Sequence, residues 1–266
     1  MQIELWGVRG SIPTPAAGNL GYGGNTSCVE VRTPGGERLI FDAGTGIRNL
    51  GATIREPSRT HVFFTHYHWD HIQGLPFFAP LYNSRSTIRF YSGSSIGPVY
   101  AALATQMQSP FFPLKMDAVA AQLDFHDLDG TAFEVGDARI ESFPLCHPQG
   151  ACGYRITCGG AVFVHATDNE SGDPRPDAVL REFAQDADVL IYDAQYTPEE
   201  APRMKGWGHG NWADAVRLAE ECRVGRLILF HHDPDRDDAA VSHIATAAQQ
   251  HFPRTECARE GTIITL

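Results

Sequence analysis

Apolar residues recur in short runs along the whole chain, and turns rich in Gly, Pro and Asn separate the runs. Continuous or alternating apolar positions over about four to eight residues are typical of strands, whereas apolar positions three to four apart indicate helices. The first pattern predicts strands at QIELWGV, CVEVRT, RLIFDAG, THVFFTH, AFEVGDARIESFPL, AVFVHATD, DVLIYDA and RLILFHHDP. The second predicts helices at PVYAALATQMQS, MDAVAAQLDF, NWADAVRLAEEC (capped by Asn211) and DAAVSHIATAAQQHF.

These elements divide the chain into two strand-rich halves, each followed by helices. No low-complexity block, long linker or solenoid-type repeat interrupts the pattern. We therefore predict one α/β domain over residues 1–266, with two sheets facing each other and helices on the outside.

The composition is that of a globular protein with an acidic surface. The chain is 42% hydrophobic and 20% charged, and its net charge is −11. An acidic balance disfavours long nucleic acid as a partner, because binding phosphates without sequence preference requires Lys and Arg. A small anionic substrate is still compatible, since a bound metal ion reverses the local charge.

The N-terminus and the cysteines indicate a cytoplasmic protein. MQIELWGVRGSIPTP has the pattern of a strand and not of a signal peptide, and no apolar run approaches the ~18 residues of a membrane span. Six cysteines occur without CxxC spacing: Cys28, Cys146, Cys152, Cys158, Cys222 and Cys257. We expect reduced thiols and no membrane association.

One ten-residue segment concentrates groups that bind metals. Residues 65–74 read THYHWDHIQG, and crowding three histidines and an aspartate disfavours folding unless positive charge lies between them. His66 and His68 lie two apart at a strand end, so an extended chain places both on one face. Asp70 and His71 follow where the chain turns toward a helix and project differently. Together the four side chains can hold two metal ions.

Three further candidate ligands follow apolar strands elsewhere in the chain. His147 ends ESFPLCH, Asp168 ends AVFVHATD, and His231 ends RLILFH. Imidazole and carboxylate suit Zn²⁺, and they also accept Mn²⁺ or Fe. We therefore predict a site for two divalent metal ions, with Zn²⁺ as the first assignment.

The motif THYHWDH resembles the HxHxDH motif of the metallo-β-lactamase superfamily, and the order of the later ligands matches too. GVRGSIPTP, YGGNTSCVEV and FDAGTG look like the branch that contains phosphoribosyl cyclic phosphate phosphodiesterases and, more distantly, tRNA 3′-processing endonucleases. The resemblance covers nearly the whole chain. It implies an α/β fold of the αββα sandwich type, with the metals at one edge of the two sheets.

Carried over residue by residue, the resemblance implies two sets of ligands. One metal would be bound by His66, His68 and His147, and the other by Asp70, His71 and His231, with Asp168 bridging both. His232 is an alternative to His231, because successive side chains of a strand point to opposite faces; we prefer His231, which continues the strand directly. Asp42 in FDAGTG resembles a buried aspartate that orients the metal loop, our name for residues 65–74.

The ligands alone do not choose a reaction, since two metals can activate water toward a lactam, lactone, thioester or phosphodiester. His209 in GWGHGNW resembles the histidine loop of the phosphodiesterase branches. The same resemblance pairs it with Asp193 of DVLIYDAQY, where the tRNA-processing enzymes carry glutamate. An Asp–His pair raises the imidazole pKa and suits proton donation to a leaving oxygen. We therefore predict phosphodiester hydrolysis, with His209 as the acid and Asp193 as its partner.

Two interpretations, substrate contact or local packing, stay open for several residues beside these motifs: Arg9, Ser11, Asn25, Thr26, Trp69 and Phe77. Glu170 in TDNE either tunes the bridging aspartate or faces solvent.

Four other functions compete with this prediction. A lactonase or thioesterase would not need His209. The tRNA-processing enzymes carry a Gly- and Lys/Arg-rich arm that this acidic chain lacks. A di-iron redox protein of this fold would carry glutamate in place of His68, and a non-catalytic module would not need all seven ligands together with the His209 pair.

The sequence predicts a class of substrate, small phosphodiesters, and does not identify one compound. Some phosphoribosyl cyclic phosphodiesterases bind an additional zinc through closely spaced N-terminal cysteines, and only Cys28 lies in that region here. Cyclic nucleotides and other small diesters therefore stay open. We predict a small phosphodiester as the partner, with no membrane or long nucleic acid, and we leave a homodimer open.

Overall fold

A computed structural model describes residues 1–93 and 96–266, and within these residues the strands form two seven-stranded sheets. The first sheet contains β1 (Gln2–Gly7), β2 (Cys28–Arg32), β3 (Arg38–Phe41), β4 (Arg59–Phe64), β5 (Thr87–Ser92), β6 (Gln122–Asp127) and β14 (Ile263–Thr265). The second contains β7 (Phe133–Val135), β8 (Ala138–Leu145), β9 (Ala151–Cys158), β10 (Ala161–Ala166), β11 (Val189–Asp193), β12 (Arg226–Phe230) and β13 (Thr255–Cys257).

The helices connect these strands. They are α1 (Gly46–Thr53), α2 (Trp69–Ile72), α3 (Val99–Gln106), α4 (Pro174–Ala184), α5 (Trp212–Glu221) and α6 (Asp238–His251). Short 3-10 segments lie at Ala17–Asn19, Leu75–Phe77, Ala79–Tyr82, Met116–Ala118 and Ala201–Arg203. Asn211 caps α5 as expected, since its side chain accepts hydrogen bonds from two amides of the first turn. None of these helices combines the length and apolar character needed to cross a bilayer.

Parallel pairing brings several strand ends to one edge of each sheet. The order is β14-β1-β2-β3-β4-β5-β6 in the first sheet and β13-β12-β11-β10-β9-β8-β7 in the second. Strands β3 to β6 pair in parallel, and so do β10 to β13. Loops that follow the carboxyl ends of parallel strands share one edge, which is where such sheets bind ligands.

Three apolar layers lie between the four layers of the helix–sheet–sheet–helix sandwich. The middle layer lies between the sheets, where Phe41 and Phe63 of the first sheet pack on Tyr154 of the second, with ring centroids 5.4 and 5.5 Å away. One outer layer joins the first sheet to α1 and α3, and the other joins the second sheet to α4, α5 and α6. Burial on both faces explains the continuous apolar runs of the central strands. The predicted αββα sandwich is confirmed.

The helix predicted at MDAVAAQLDF is wrong. Only Met116–Ala118 forms a 3-10 turn, and Gln122–Asp127 forms the edge strand β6, paired in parallel with β5. The backbone hydrogen bonds offered by β5 outweigh the helical spacing of the apolar residues, which is a tertiary effect. Strands β5 and β9 and helices α1 and α4 were not predicted, although each contributes buried apolar residues to the core, such as Leu50 of α1 and Leu180 of α4.

Candidate metal centre

The HxHxDH segment follows β4 and changes conformation within six residues. The backbone of His68 is extended, and α2 begins at the next residue, Trp69. His66 and His68 lie together, with ring centroids 4.5 Å apart, and the ring of His71 lies 4.2 Å from that of His66. The change from strand to helix therefore gathers all four polar side chains on one side of the loop.

Two groups of three side chains that have the geometry of metal ligands contain no shared residue. Within each group the candidate ligand atoms lie within 4.8 Å of one another; the groups are His66, His68 and His147, and Asp70, His71 and His231. The structure thus brings together the residues that the sequence analysis assigned to each metal.

Asp168 lies between the two groups. Its Oδ1 is 3.8 Å from Nε2 of both His66 and His147, whereas its Oδ2 is 3.2 Å from Nε2 of His71 and 3.4 Å from that of His231. Each carboxylate oxygen therefore faces a different group, as a bridging ligand requires. Burial alone would raise the Asp168 pKa, but the surrounding histidines hold it well below its usual value, so the group is ionised.

The first group contains two ring nitrogens that face each other. Nε2 of His147 lies 3.0 Å from Nδ1 of His68. The other nitrogen of each ring donates to an acceptor, the Gly208 carbonyl at 2.7 Å and the Gln149 side-chain oxygen at 3.1 Å. In neutral rings the two facing nitrogens therefore both present lone pairs. A cation bound by both removes this repulsion.

The second group repeats this arrangement. Nε2 of His71 lies 3.3 Å from Nε2 of His231, while their Nδ1 atoms donate to Asp42 at 2.7 Å and to the Gln195 side-chain oxygen at 2.9 Å. Nε2 of His66 is buried and has no hydrogen-bond partner among the described residues. The donor set and this unpartnered nitrogen fit divalent metal ions at both groups.

Asp42 holds the metal loop in place through hydrogen bonds. It is fully buried and accepts hydrogen bonds from Ser27 Oγ, from the Thr65 amide and from Thr65 Oγ1, in addition to His71. Burial would raise the Asp42 pKa, but the neighbouring His71 and His165 hold it below its usual value. The ionised carboxylate thereby sets the orientation of the His71 ring.

His209 lies beside the candidate ligands and is paired with Asp193. Its Nδ1 donates to Asp193 Oδ2 at 3.0 Å and lies 3.7 Å from Asp168 Oδ1. The side chain is 11% exposed, and Nε2 has no hydrogen-bond partner among the described residues. Burial lowers the His209 pKa, but the carboxylates of Asp193 and Asp168 outweigh burial and raise it to about 9 in the metal-free protein.

The same geometry allows a second role for His209. Asp168, Asp193, His209 and His231 also contribute atoms within 4.8 Å of one another, so this group could hold a cation. Asp193, however, already accepts hydrogen bonds from the amides of Asp168, Gln195 and Gly210. A carboxylate held by three amides in this way is fixed in position and can orient an imidazole.

Glu170 positions the loop that carries His209. Its carboxylate accepts hydrogen bonds from the amides of Gly206 and Gly208 at 2.8–2.9 Å, and the Gly208 carbonyl in turn accepts from His147. Glu170 is therefore connected to His147 and His209 through the backbone of this loop.

Three of the other candidates have structural partners away from the candidate ligands. Arg9 is fully buried and donates to the carbonyls of Gly23 and Arg236, and Asn25 binds Glu260 through both its amides. His232 places Nε2 2.8 Å from the Ala258 carbonyl oxygen, away from the ligand groups, so only His231 of the pair faces them.

Sequence reasoning missed Gln149 and Gln195, which accept hydrogen bonds from His68 and His231. Each lies two residues beyond an assigned residue, His147 or Asp193. That proximity in a strand-end loop was the available signal, but glutamine carries no metal chemistry of its own.

Gly10 provides a test of the ligand geometry. A Cβ at this position would lie 2.4 Å from His231 Nδ1 and 2.8 Å from Gln195 Oε1. Gly10→Ala should therefore displace the His231 ring and weaken binding of a divalent cation about 10–100-fold, as the loss of an orienting contact does. Zn²⁺ titration with a competing chelator measures this affinity. The matched control is Gly18→Ala, where the Cβ meets only an ordinary contact at 3.6 Å. Unchanged affinity in Gly10→Ala would contradict a role for His231 in metal binding.

Comparison with known proteins identifies relatives that match nearly the full length of this chain. A ribonuclease Z of Bacillus cereus (strain G9842) is 25% identical, and the alignment covers 98% of this chain and 97% of the relative. That alignment spans 319 positions against the 266 residues here, so the relative contains segments without a counterpart in this chain.

Two solved structures share the fold. The metallo-beta-lactamase fold protein YhfI from Bacillus subtilis superposes with a TM-score of 0.75 at 18% identity, covering 99% of this chain and 98% of YhfI. A diphosphatase from the PhnP family superposes with a TM-score of 0.72 at 19% identity, covering 100% and 97%. A family model described as "Beta-lactamase superfamily domain" matches residues 37–232. This match covers most of the chain and includes the His/Asp cluster, and we conclude that the chain belongs to the beta-lactamase superfamily, as a metal-dependent hydrolase with the metallo-β-lactamase fold.

Proposed function

We propose that this chain is a phosphodiesterase that hydrolyses a small diester, with two divalent metal ions as cofactors and Zn²⁺ as the first assignment. The observation that carries the proposal is the pairing of His209 with Asp193 beside the bridging position of Asp168. A hydrolase of carbonyl compounds would not need this pair, whereas an alkoxide leaving group benefits from a positioned acid.

The candidate ligands divide the work of metal binding. His66, His68 and His147 would hold one ion, Asp70, His71 and His231 the other, and Asp168 would contact both. When bound, the two ions would supply water activation near neutral pH and electrostatic stabilisation of the negatively charged phosphoryl oxygens.

The protein's own residues account for the departing group. One P–O bond forms to the oxygen of a water molecule, and the P–O bond to the leaving oxygen breaks. That oxygen takes its proton from Nε2 of His209, while the ion pair with Asp193 keeps the proton on Nδ1 and fixes the ring. The attacking water gives up one proton to solvent, and solvent returns one proton to Nε2, so the protons balance. Glu170 supports this step by holding the Gly206–Gly208 backbone beneath His209.

A nuclease that acts on RNA is the second candidate, because the relatives that match along the whole chain are named ribonuclease Z. Two features favour the small diester instead. The net charge of −11 opposes binding of a long polyanion, and the relative carries segments that this shorter chain lacks.

We also propose a cytoplasmic location. All six cysteines are free thiols in the structure, which suits a reducing compartment.

Turnover of 2′,3′-cyclic AMP by protein reconstituted with Zn²⁺ or Mn²⁺ tests the proposal. We expect metal-dependent ring opening to a phosphomonoester, and no comparable processing of a tRNA 3′ extension. Hydrolysis of a lactone or thioester by protein that contains two metals, with no cleavage of cyclic or acyclic small diesters, would show that the proposed substrate class is wrong.

A further inference from the structure

An apolar cavity of about 630 Å³ lies against the metal loop. It is lined by residues of that loop, of the Leu75–Phe77 segment, of α3 and of the segment after α3, including Tyr67, Trp69, Phe77, Gln106, Phe111 and Phe112. The volume is in the range of small-molecule sites. Because Tyr67 and Trp69 alternate with His66 and His68, one loop forms both the metal centre and this wall.

The cavity leaves large aromatic surfaces uncovered. Trp69 is 72% exposed, Phe77 59% and Phe111 74%, and they lie together around one opening. Isolated exposed aromatics need no explanation, but a contiguous group beside a reaction centre indicates a binding surface. Flat aromatic rings bind other flat rings well, by stacking on their faces.

The polar groups of the lining restrict the chemical class of ligand that the cavity can bind. Among the described residues, no Lys, Arg, His, Asp or Glu lines the cavity, so it offers no charged partner to a phosphate or carboxylate. Gln73 and Gln106 use their amide nitrogens on Thr26 Oγ1 and the Ile72 carbonyl. Their side-chain oxygens have no donor among the described residues, so they are acceptors for a ligand that carries N–H groups.

We infer that this cavity binds an uncharged aromatic group of nucleobase type that belongs to the substrate, while the phosphodiester of the same substrate lies at the metal centre. The inference rests on the proposed function and names its substrate class as a nucleoside-bearing diester. Trp69 connects the two regions, since it is adjacent in the chain to His68 and Asp70 and lines the cavity.

A pair of substrates with the same reacting ring isolates the contribution of the base. We compare 2′,3′-cyclic AMP with methyl riboside 2′,3′-cyclic phosphate, which has no base. We expect kcat/KM to be about tenfold higher for cyclic AMP, mainly through KM, as stacking of one base gives. Equal values for both substrates would overturn the inference and leave the phosphodiesterase proposal standing.

The double variant Phe77→Ala, Phe111→Ala tests the cavity itself. Both side chains are largely exposed, so their removal should spare the core. We expect the ratio of kcat/KM for cyclic AMP to kcat/KM for the methyl riboside substrate to fall toward one. Turnover of the methyl riboside substrate should be retained. Leu20→Ala is the matched control, because Leu20 is 72% exposed and lies outside the cavity. A preference that persists in the double variant would overturn the inference.

Adenosine binding separates this inference from the proposed reaction. Calorimetry of the metal-reconstituted protein with adenosine, which has no phosphate, should detect binding in the wild type and in Leu20→Ala but not in the double variant. That result with no turnover of any diester would support the cavity and contradict the phosphodiesterase. Turnover of diesters by a protein that does not bind adenosine would support the phosphodiesterase and overturn the inference about the cavity.

Discussion

Asp168→Asn should abolish binding of both metal ions together and lower kcat/KM by more than about 10³-fold, because both effects depend on one carboxylate. Its two oxygens face different ligand groups, at 3.2–3.8 Å from their ring nitrogens. An amide preserves the shape of the side chain but removes the negative charge that balances the two cations.

Asparagine is the appropriate replacement at this position for a backbone reason. Asp168 has φ of +56°, a left-handed conformation that asparagine tolerates better than alanine does. Loss of metal in Asp168→Asn can therefore be attributed to the missing charge. Metal content per chain by elemental analysis and turnover of 2′,3′-cyclic AMP are the measurements, and Asp235→Asn, on the exposed surface, is the control. A variant that keeps one ion at full occupancy would contradict the bridging role.

His209→Ala should leave metal content at the wild-type level and reduce turnover about 10²–10⁴-fold for diesters with alkoxide leaving groups. The reason is that a poor leaving group depends on a proton delivered as its bond to phosphorus breaks. A p-nitrophenolate leaves without one, so turnover of a p-nitrophenyl diester should fall far less. The comparison of leaving groups distinguishes acid catalysis from a general loss of structure.

Two variants complete this test. Asp193→Asn keeps His209 but weakens the pairing that orients it, and it should give an intermediate loss with the same dependence on the leaving group. His243→Ala removes an exposed histidine of α6 and should change nothing. If His209→Ala instead strips an ion from the protein, His209 is a ligand of the group that contains Asp168, Asp193 and His231, and the acid assignment is wrong.

Much of the sandwich was predictable because buried strands and helices require apolar residues in recognisable patterns along the sequence. The central strands β4, β11 and β12 are buried on both faces, and each was recognised from its continuous apolar run. Strand β6 was not predicted, since its apolar residues also fit a helix and only pairing with β5 decides between the two. Local pattern contains no information on which partner strand is available.

The roles of Arg9 and Glu170 could likewise not be predicted from local sequence pattern. Arg9 follows the β1 strand in a Gly-flanked turn, which suited a phosphate contact, but its guanidinium is used to bind the carbonyls of two distant segments. Glu170 was equally ambiguous, and its role depends on the Gly206 and Gly208 amides about 36 residues away. Neither outcome could follow from sequence, because each depends on which backbone groups the fold brings near.

The sequence by itself determined the residue types and spacing that commit this chain to metal chemistry: the HxHxDH motif, the later polar residues at strand ends and the Asp193–His209 candidates. Only the tertiary structure decided which atoms meet. It directs the two oxygens of Asp168 toward different groups, places His231 and not His232 beside these groups, and pairs Gln149 and Gln195 with candidate ligand histidines. It also assembled an apolar cavity from α3 and the metal loop. The physical reason is that spacing along the chain fixes local direction, whereas contacts between separate segments of the chain exist only after the strands, helices and loops pack together.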